Sequence, residues 1–305
     1  ESLMHHVWDN LIGNAIKFSP ENSTIKMSLK IVADNVEFLI DDEGPGVSEE
    51  SKKYLFNKFY TANDYGDAVN GADFAGRVGP MRQVQSGAIS QNEMRRAIVV
   101  FSVLSLVSGV VLLVHCKAVL GWSVFFKMFL LGIASIVAAI CYTVGKKPYG
   151  YMGLGDIFVF VFFGLVGVEG SYVLYSGELS WWVMLPATSI GMLSMAVLNM
   201  NNMRDMQSDK RSGKNTLIVR YGIVWGKKYQ TVLILGAFVV MAVYIVTCGV
   251  VSQYIYLIAL PIFIRHLIVV WKTEDNTMLD SQLKVVSMGT LLLVIGYVMG
   301  TLLEK

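Results

Sequence analysis

Two patterns of hydrophobic and polar positions share this chain, and one gives way to the other before residue 97. In residues 1–60 the apolar positions are periodic and sparse. Val7, Leu11, Ala15 and Phe18 recur at three- to four-residue spacing, which predicts an amphipathic helix. The alternating run Ile25-Lys26-Met27-Ser28-Leu29-Lys30-Ile31 and then Val36-Glu37-Phe38-Leu39-Ile40 predict two strands. Residues 41–48 form a Gly/Pro turn, and Glu49–Tyr60 suits a short amphipathic helix. From residue 97 the apolar stretches lengthen to about 18–24 residues, enough for a helix to cross ~30 Å of hydrocarbon. Spans are expected near 97–115, 120–143, 155–175, 181–199, 229–249, 253–271 and 285–303. The pattern therefore predicts an all-α polytopic membrane protein of about seven transmembrane helices, preceded by a small α+β fragment. A boundary near residue 60 separates the two parts, 1–60 and 61–305.

Composition agrees. Of the 305 residues 54% are apolar and 16% charged, with a mean hydropathy of +0.53, so the surface needs membrane lipid to solvate it. Half of the charged residues fall in residues 1–96 and only seven in 97–199, which marks two different polymers joined end to end. A net charge of +2 is too small to imply nucleic acid as a partner. The cationic loops hold Arg77, Arg82, Arg95 and Arg96, then Lys146 and Lys147, then Arg204 to Lys228, then Lys272 and Lys284. The alternate loops offer little beyond Lys117 and Lys305. The positive-inside rule then places the cationic loops and residues 1–60 in the cytoplasm and the C-terminus outside. Cys116, Cys141 and Cys248 form no CxxC and are expected as buried free thiols. Gly296 and Gly300 have the spacing of a helix-packing contact. Glu169, inside a span, is expected to face a cavity or a helix end.

Two acidic clusters lie where apolar spans meet the same membrane face. Asn63 to Asp73 contains Asp64 and Asp67, and Asn201 to Asp209 contains Asp205 and Asp209. Each pair is spaced to share one helix face. Paired hard oxygen ligands suit Mg²⁺, which keeps several waters and binds substrate phosphates. Two such clusters would hold Mg²⁺ on a diphosphate and make it a better leaving group. Arg77, Arg82, Arg204, Lys210, Arg211 and Lys214 flank them and have the chemistry to clamp phosphate oxygens. A carbocation released there needs a dry, aromatic cavity, for which Tyr142, Phe158, Phe160, Phe162, Phe163 and Trp182 are candidates.

The runs NDYGDAVNGADFAGRVGPMRQVQSGAIS, YTVGKKPYGYMGLGDIFVFVFFG and LNMNNMRDMQSDKRSGKNTLIVRYG resemble the UbiA-type intramembrane prenyltransferases, in particular those that act on a naphthoate. The resemblance covers about residue 62 to the C-terminus. It implies transfer of a polyprenyl chain from polyprenyl diphosphate to 1,4-dihydroxy-2-naphthoate with loss of CO₂ and diphosphate, giving demethylmenaquinone in a bacterial cytoplasmic membrane. It further implies that Asn63, Asp64, Asp67 and Asp73 form one Mg–diphosphate cluster and Asn202, Asp205 and Asp209 the other. By the same resemblance Lys146, Tyr149 and Asp156 lie in a loop that contacts the aromatic substrate, with Lys146 in a catalytic place. The family has nine spans, so a bundle lacking the first two is expected here.

Residues 9–20, DNLIGNAIKFSP, with Asp42-Glu43-Gly44-Pro45-Gly46 and Leu55-Phe56-Asn57-Lys58-Phe59-Tyr60, resemble the ATP-binding domain of sensor histidine kinases. In that family the positions matching Asn10 and Asn14 sit by the phosphates and Mg²⁺, Lys17 helps with phosphate, and Asp42 hydrogen-bonds adenine. Gly44 and Gly46 let the backbone approach the nucleotide. The family's second glycine-rich box and its phospho-acceptor histidine hairpin are absent, so this nucleotide site is expected to be vestigial. A membrane-tethered sensor kinase fragment and an inactive fusion are the alternative readings.

Overall fold

In a computed structural model the chain divides into two compact units, Glu1–Lys58 and Phe59–Lys305. The structure describes residues 19–20, 23–32, 35–41, 62–69, 83–84, 89–145 and 148–304. In the first unit, β1 (Lys26–Val32) pairs antiparallel with β2 (Asn35–Asp41), from Lys26 opposite Asp41 to Val32 opposite Asn35. These are the two strands expected from the alternating runs. The helices expected at residues 7–18 and 49–60 lie outside the described residues.

The second unit is helical. It begins with α1 (Ala62–Val69), which packs against α2 (Gln91–His115). The α2 helix starts six residues before the apolar run because Ser90 and Glu93 form a capping box there. The Ser90 hydroxyl accepts from Glu93 N–H at 3.3 Å, and the Glu93 carboxylate accepts from Ser90 N–H at 2.9 Å. A tight turn at Cys116 leads into α3 (Lys117–Cys141), kinked at Gly121, whose φ of 62° favours glycine. A 3₁₀ turn (Tyr149–Met152) precedes α4 (Gly155–Ser176), in which Phe160–Glu169 is π-wound. Then come α5 (Met184–Arg211), the short α6 (Leu217–Tyr221) and α7 (Ile223–Cys248). A 3₁₀ segment (Val251–Ala259) runs into α8 (Leu260–Lys272), and α9 (Asp280–Leu302) follows.

Among the described residues six helical stretches are long and apolar enough to cross a membrane: α2, α3, α4, α7, Val251–Lys272 and α9. The remaining expected span, near 181–199, falls in α5. That helix has the length, but its second half carries Asn199, Asn201, Asn202, Arg204, Asp205 and Asp209. It is the centre of the bundle, packed on α4, α7 and α9. The core gathers Leu193, Met200, Ile234, Phe238, Tyr256, Phe263 and Leu293 around it.

Glycines set the closest approaches. A Cβ on Gly164 would lie 2.6 Å from Gly191 Cα, so the π-wound part of α4 and α5 touch backbone to backbone. Gly296 and Gly300 meet the backbone of Ile255 and Ser252, which makes them the packing contact their spacing predicts. The cysteines are free, but Cys141 and Cys248 are exposed rather than buried. Both lie in helices apolar enough to cross a membrane, on faces that the fold leaves exposed, while Cys116 is half-buried.

Candidate active site

The site starts from how closely α1 can approach the turn after α3. Gly66 makes that approach possible, because a Cβ there would lie 2.5 Å from Thr143 Cβ. One residue on, Asp67 is only 1% exposed. Its carboxylate accepts from the Tyr151 hydroxyl at 2.6 Å and from Lys214 Nζ at 3.0 Å. Lys214 Nζ also lies 3.9 Å from Asp209 Oδ1 and 4.9 Å from the centre of the Tyr151 ring. Carboxylates from the two acidic clusters therefore lie within 4 Å of a single ammonium nitrogen.

The backbone fixes this meeting. Gly213, with φ of 74°, turns the chain at the end of α5, and Lys214 N–H donates to Asp209 C=O at 2.9 Å. Asn215 N–H donates to Tyr151 C=O at 2.9 Å, and Arg220 Nη2 to Met152 C=O at 2.6 Å. The 3₁₀ turn that carries Tyr151 is thus tied to the segment that carries Lys214.

Asp205 belongs to a neighbouring group. Arg204 holds it from Nε at 2.8 Å and Nη2 at 2.7 Å, and also reaches Asp280 at 2.5 Å and Asn201 at 2.6 Å. The Arg204 guanidinium is buried by these contacts, so it faces other protein groups where the flanking charge pattern pointed to a phosphate clamp. Asn202 is buried on the same helix, and Asp64 is half-buried on α1. Asn63 lies in α1, its side chain outside the described residues.

Behind the acidic groups is an aromatic cavity of about 450 Å³, lined among others by Tyr142, Tyr149, Phe158, Phe162 and Phe163. Tyr149 stacks on Phe158 with ring centres 3.8 Å apart and donates its hydroxyl to Ala138 C=O at 2.6 Å. Burial pushes the Tyr149 phenol up to about 12. The π winding helps to build this wall, since it brings residues four and five apart, such as Phe158, Phe162 and Phe163, towards one side. Phe160 instead packs on Gly191, and Trp182 is 56% exposed, so neither lines the cavity. Asp156 is buried and accepts from the Tyr229 hydroxyl at 3.2 Å. Glu169 does not face the cavity; it accepts from Ser180 N–H at 2.5 Å at the turn into α5.

Three residues that the sequence did not single out complete the picture: Tyr151, Tyr229 and Asp280. Asp73, Arg77, Arg82 and Lys146 lie outside the described residues, as do Asn10, Asn14, Lys17, Asp42, Gly44 and Gly46. Among the described residues no three His, Cys, Asp or Glu side chains converge as a ready-made metal cage. Mg²⁺ seldom needs one, because one or two carboxylates suffice when waters and substrate phosphates complete its shell. Asp67 and Asp209, each within 4 Å of Lys214 Nζ, supply carboxylates of that kind.

Residues 58–299 match the UbiA prenyltransferase family, about four-fifths of the chain. The chain belongs to that family. Two bacterial relatives are each called 1,4-dihydroxy-2-naphthoate octaprenyltransferase. The one from Escherichia coli (strain K12) is 42% identical over 246 residues, 80% of this chain and 79% of the relative. The one from Haemophilus influenzae is 42% identical over 243 residues, 79% of this chain and 78% of the relative. As a UbiA prenyltransferase with six apolar membrane-length helices, the chain is a multi-pass membrane enzyme. Residues 1–76 match the histidine kinase-, DNA gyrase B- and HSP90-like ATPase family, so a histidine-kinase-type ATPase fragment precedes the prenyltransferase. The heme sensor protein HssS of Staphylococcus epidermidis is 38% identical over 64 residues, 21% of this chain and 14% of that protein. No solved structure is significantly similar to the chain.

Proposed function

We propose that this UbiA prenyltransferase moves a polyprenyl group from polyprenyl diphosphate to 1,4-dihydroxy-2-naphthoate, releasing CO₂ and diphosphate and forming demethylmenaquinone. The relatives' names support the acceptor. The single observation that carries the reading is the turn Tyr149–Met152, which puts Tyr149 in the aromatic cavity wall and Tyr151 on Asp67. An anion-handling site and a cation-stabilising cavity thus share one short turn.

Asp67 and Asp209 would hold Mg²⁺, with Asp64, Asp73 and Asp205 as further ligands and Asn63 and Asn202 beside them. Bound there, the ion would neutralise charge on the diphosphate leaving group. Lys214, with Arg77 and Arg82, would take phosphate oxygens, while Arg204 holds Asp205 in place. The faces of Tyr142, Tyr149, Phe158, Phe162 and Phe163 carry negative quadrupole density and stabilise the allylic cation. Their apolar packing keeps water from quenching it. Lys146 and Asp156 lie near enough in sequence to that wall to contact the naphthoate.

We further place the boundary between the two parts near residue 60. The acidic clusters face the cytoplasm of a bacterial cell, and the nucleotide motif of Asn10, Asn14, Lys17, Asp42, Gly44 and Gly46 is vestigial. The test is product formation by the purified chain in nanodiscs with polyprenyl diphosphate, naphthoate and Mg²⁺, read by mass spectrometry. Asp67→Asn and Asp209→Asn are each expected to lower the rate on the order of 10²-fold or more. Turnover by both variants at the parent rate would defeat the assignment.

A further inference from the structure

We propose that Lys214 is a resident counter-cation of the site: its ammonium holds ground between the two acidic clusters and yields it to a divalent ion. This rests on the metal-dependent reading above and adds an exchange to it.

The placement is built and not incidental. The Lys214 side chain is 17% exposed and faces carboxylates that are 2% and 10% exposed. Its backbone is pinned to Asp209 C=O, and the next residue is pinned to Tyr151 C=O. Its ammonium lies over the ring of the tyrosine whose hydroxyl binds Asp67. Two nearly buried carboxylates drawn from distant parts of the chain repel one another and lose solvation, so they need a cation nearby. In the metal-free protein Lys214 helps to supply that charge.

A divalent ion bridging Asp67 and Asp209 would need the same ground. An ammonium within 4 Å of both oxygens competes with it sterically and electrostatically. Lysine suits the exchange because its charge is compact and its stem is flexible, so the head can leave while the pinned backbone stays. Once displaced, the ammonium is free to meet a diphosphate. The diphosphate then finds the full set of cations only after the metal has bound, which orders the two binding events.

Two measurements on the full chain in nanodiscs, without substrate, test this. The first is a short pulse of a water-soluble acetylating reagent, with acetylation of Lys214 in the unmodified protein read against exposed Lys210. Mg²⁺ or Mn²⁺ is expected to speed Lys214 acetylation several-fold relative to Lys210; an unchanged or slower rate overturns the exchange. The second is Mn²⁺ titration followed by electron paramagnetic resonance. Lys214→Met is expected to bind Mn²⁺ about tenfold more tightly than the parent because a competing cation is gone, and Lys214→Arg to bind like the parent. Equal or weaker binding by Lys214→Met sinks the proposal. If neither the parent nor any variant binds Mn²⁺, the metal-dependent reading fails, and this inference fails with it.

Discussion

Arg204 shows how far a residue's neighbours in space can redirect what its neighbours in sequence suggest. Beside an acidic cluster and a basic run it reads as a phosphate clamp. In the fold its guanidinium is spent on Asp205, Asp280 and Asn201, and the Asp280 partner comes from the start of α9. Its planar fork is what allows three carbonyl or carboxylate partners at once, and a lysine cannot reproduce that. Arg204→Lys is therefore expected to destabilise the protein by about 1–3 kcal/mol, seen as a lower unfolding temperature in detergent, with binding of a diphosphate analogue little changed. An unaltered unfolding temperature together with weakened analogue binding would restore the clamp. Asp67, Asp209 and Lys214 were legible in the sequence because carboxylates at helical spacing beside lysines have a recognisable chemistry. Tyr151 and Asp280 were not, because each acts on a residue about 80 positions away, and spacing along the chain carries no sign of that.

Among the elements, α4 is the one whose winding matters most. Its apolar run is unmistakable as a span, but nothing in the letters announces that Phe160–Glu169 is π-wound or that Gly164 touches Gly191. The aromatic positions gave the cavity wall in outline, and the winding decided that Phe162 and Phe163 line it while Phe160 does not. The far end of this segment carries Glu169, 3% exposed, with one carboxylate oxygen on Ser180 N–H. The other oxygen, Oε2, is buried without a hydrogen-bond partner among the described residues. The useful part of this side chain is then an acceptor and not a charge. Glu169→Gln keeps the acceptor and is expected to leave stability unchanged or improved. Glu169→Leu strands the Ser180 N–H and is expected to lose about 1–3 kcal/mol, measured by thermal unfolding. Equal losses from both variants would mean that the negative charge itself is needed.

At the scale of the whole molecule, the contacts at the site settle a question that hydropathy leaves open. Among the described residues six stretches are apolar enough to cross by composition, and α5 is not one of them. Asp67 in α1 meets Tyr151 just before α4, so α2 and α3 together must leave the membrane on the side where they entered. The α4 helix then leads away from that side to the turn at Ser180. Asp209 and Lys214, at the other end of α5, are back against Asp67. Those contacts are possible only if α5 crosses as well, with its polar half at the site face. Val251–Lys272 returns the chain after α7, and Arg204 meets Asp280 at the start of α9, so the same face is reached a third time. The described helices therefore make seven crossings, and α9 ends on the face opposite the site. The proposed cytoplasmic placement of the site face rests on the cationic residues Lys210, Arg211, Lys214, Arg220, Lys227 and Lys228 there and on the exposed Trp181 and Trp182 at the turn into α5. A green fluorescent protein fused after Lys305 should therefore be dark, because it does not fold when exported. Alkaline phosphatase at the same point should be active, and the two results should reverse for fusions made after Lys214. A fluorescent fusion after Lys305 would remove one crossing, and α5, the least apolar of the seven, is where it would have to go.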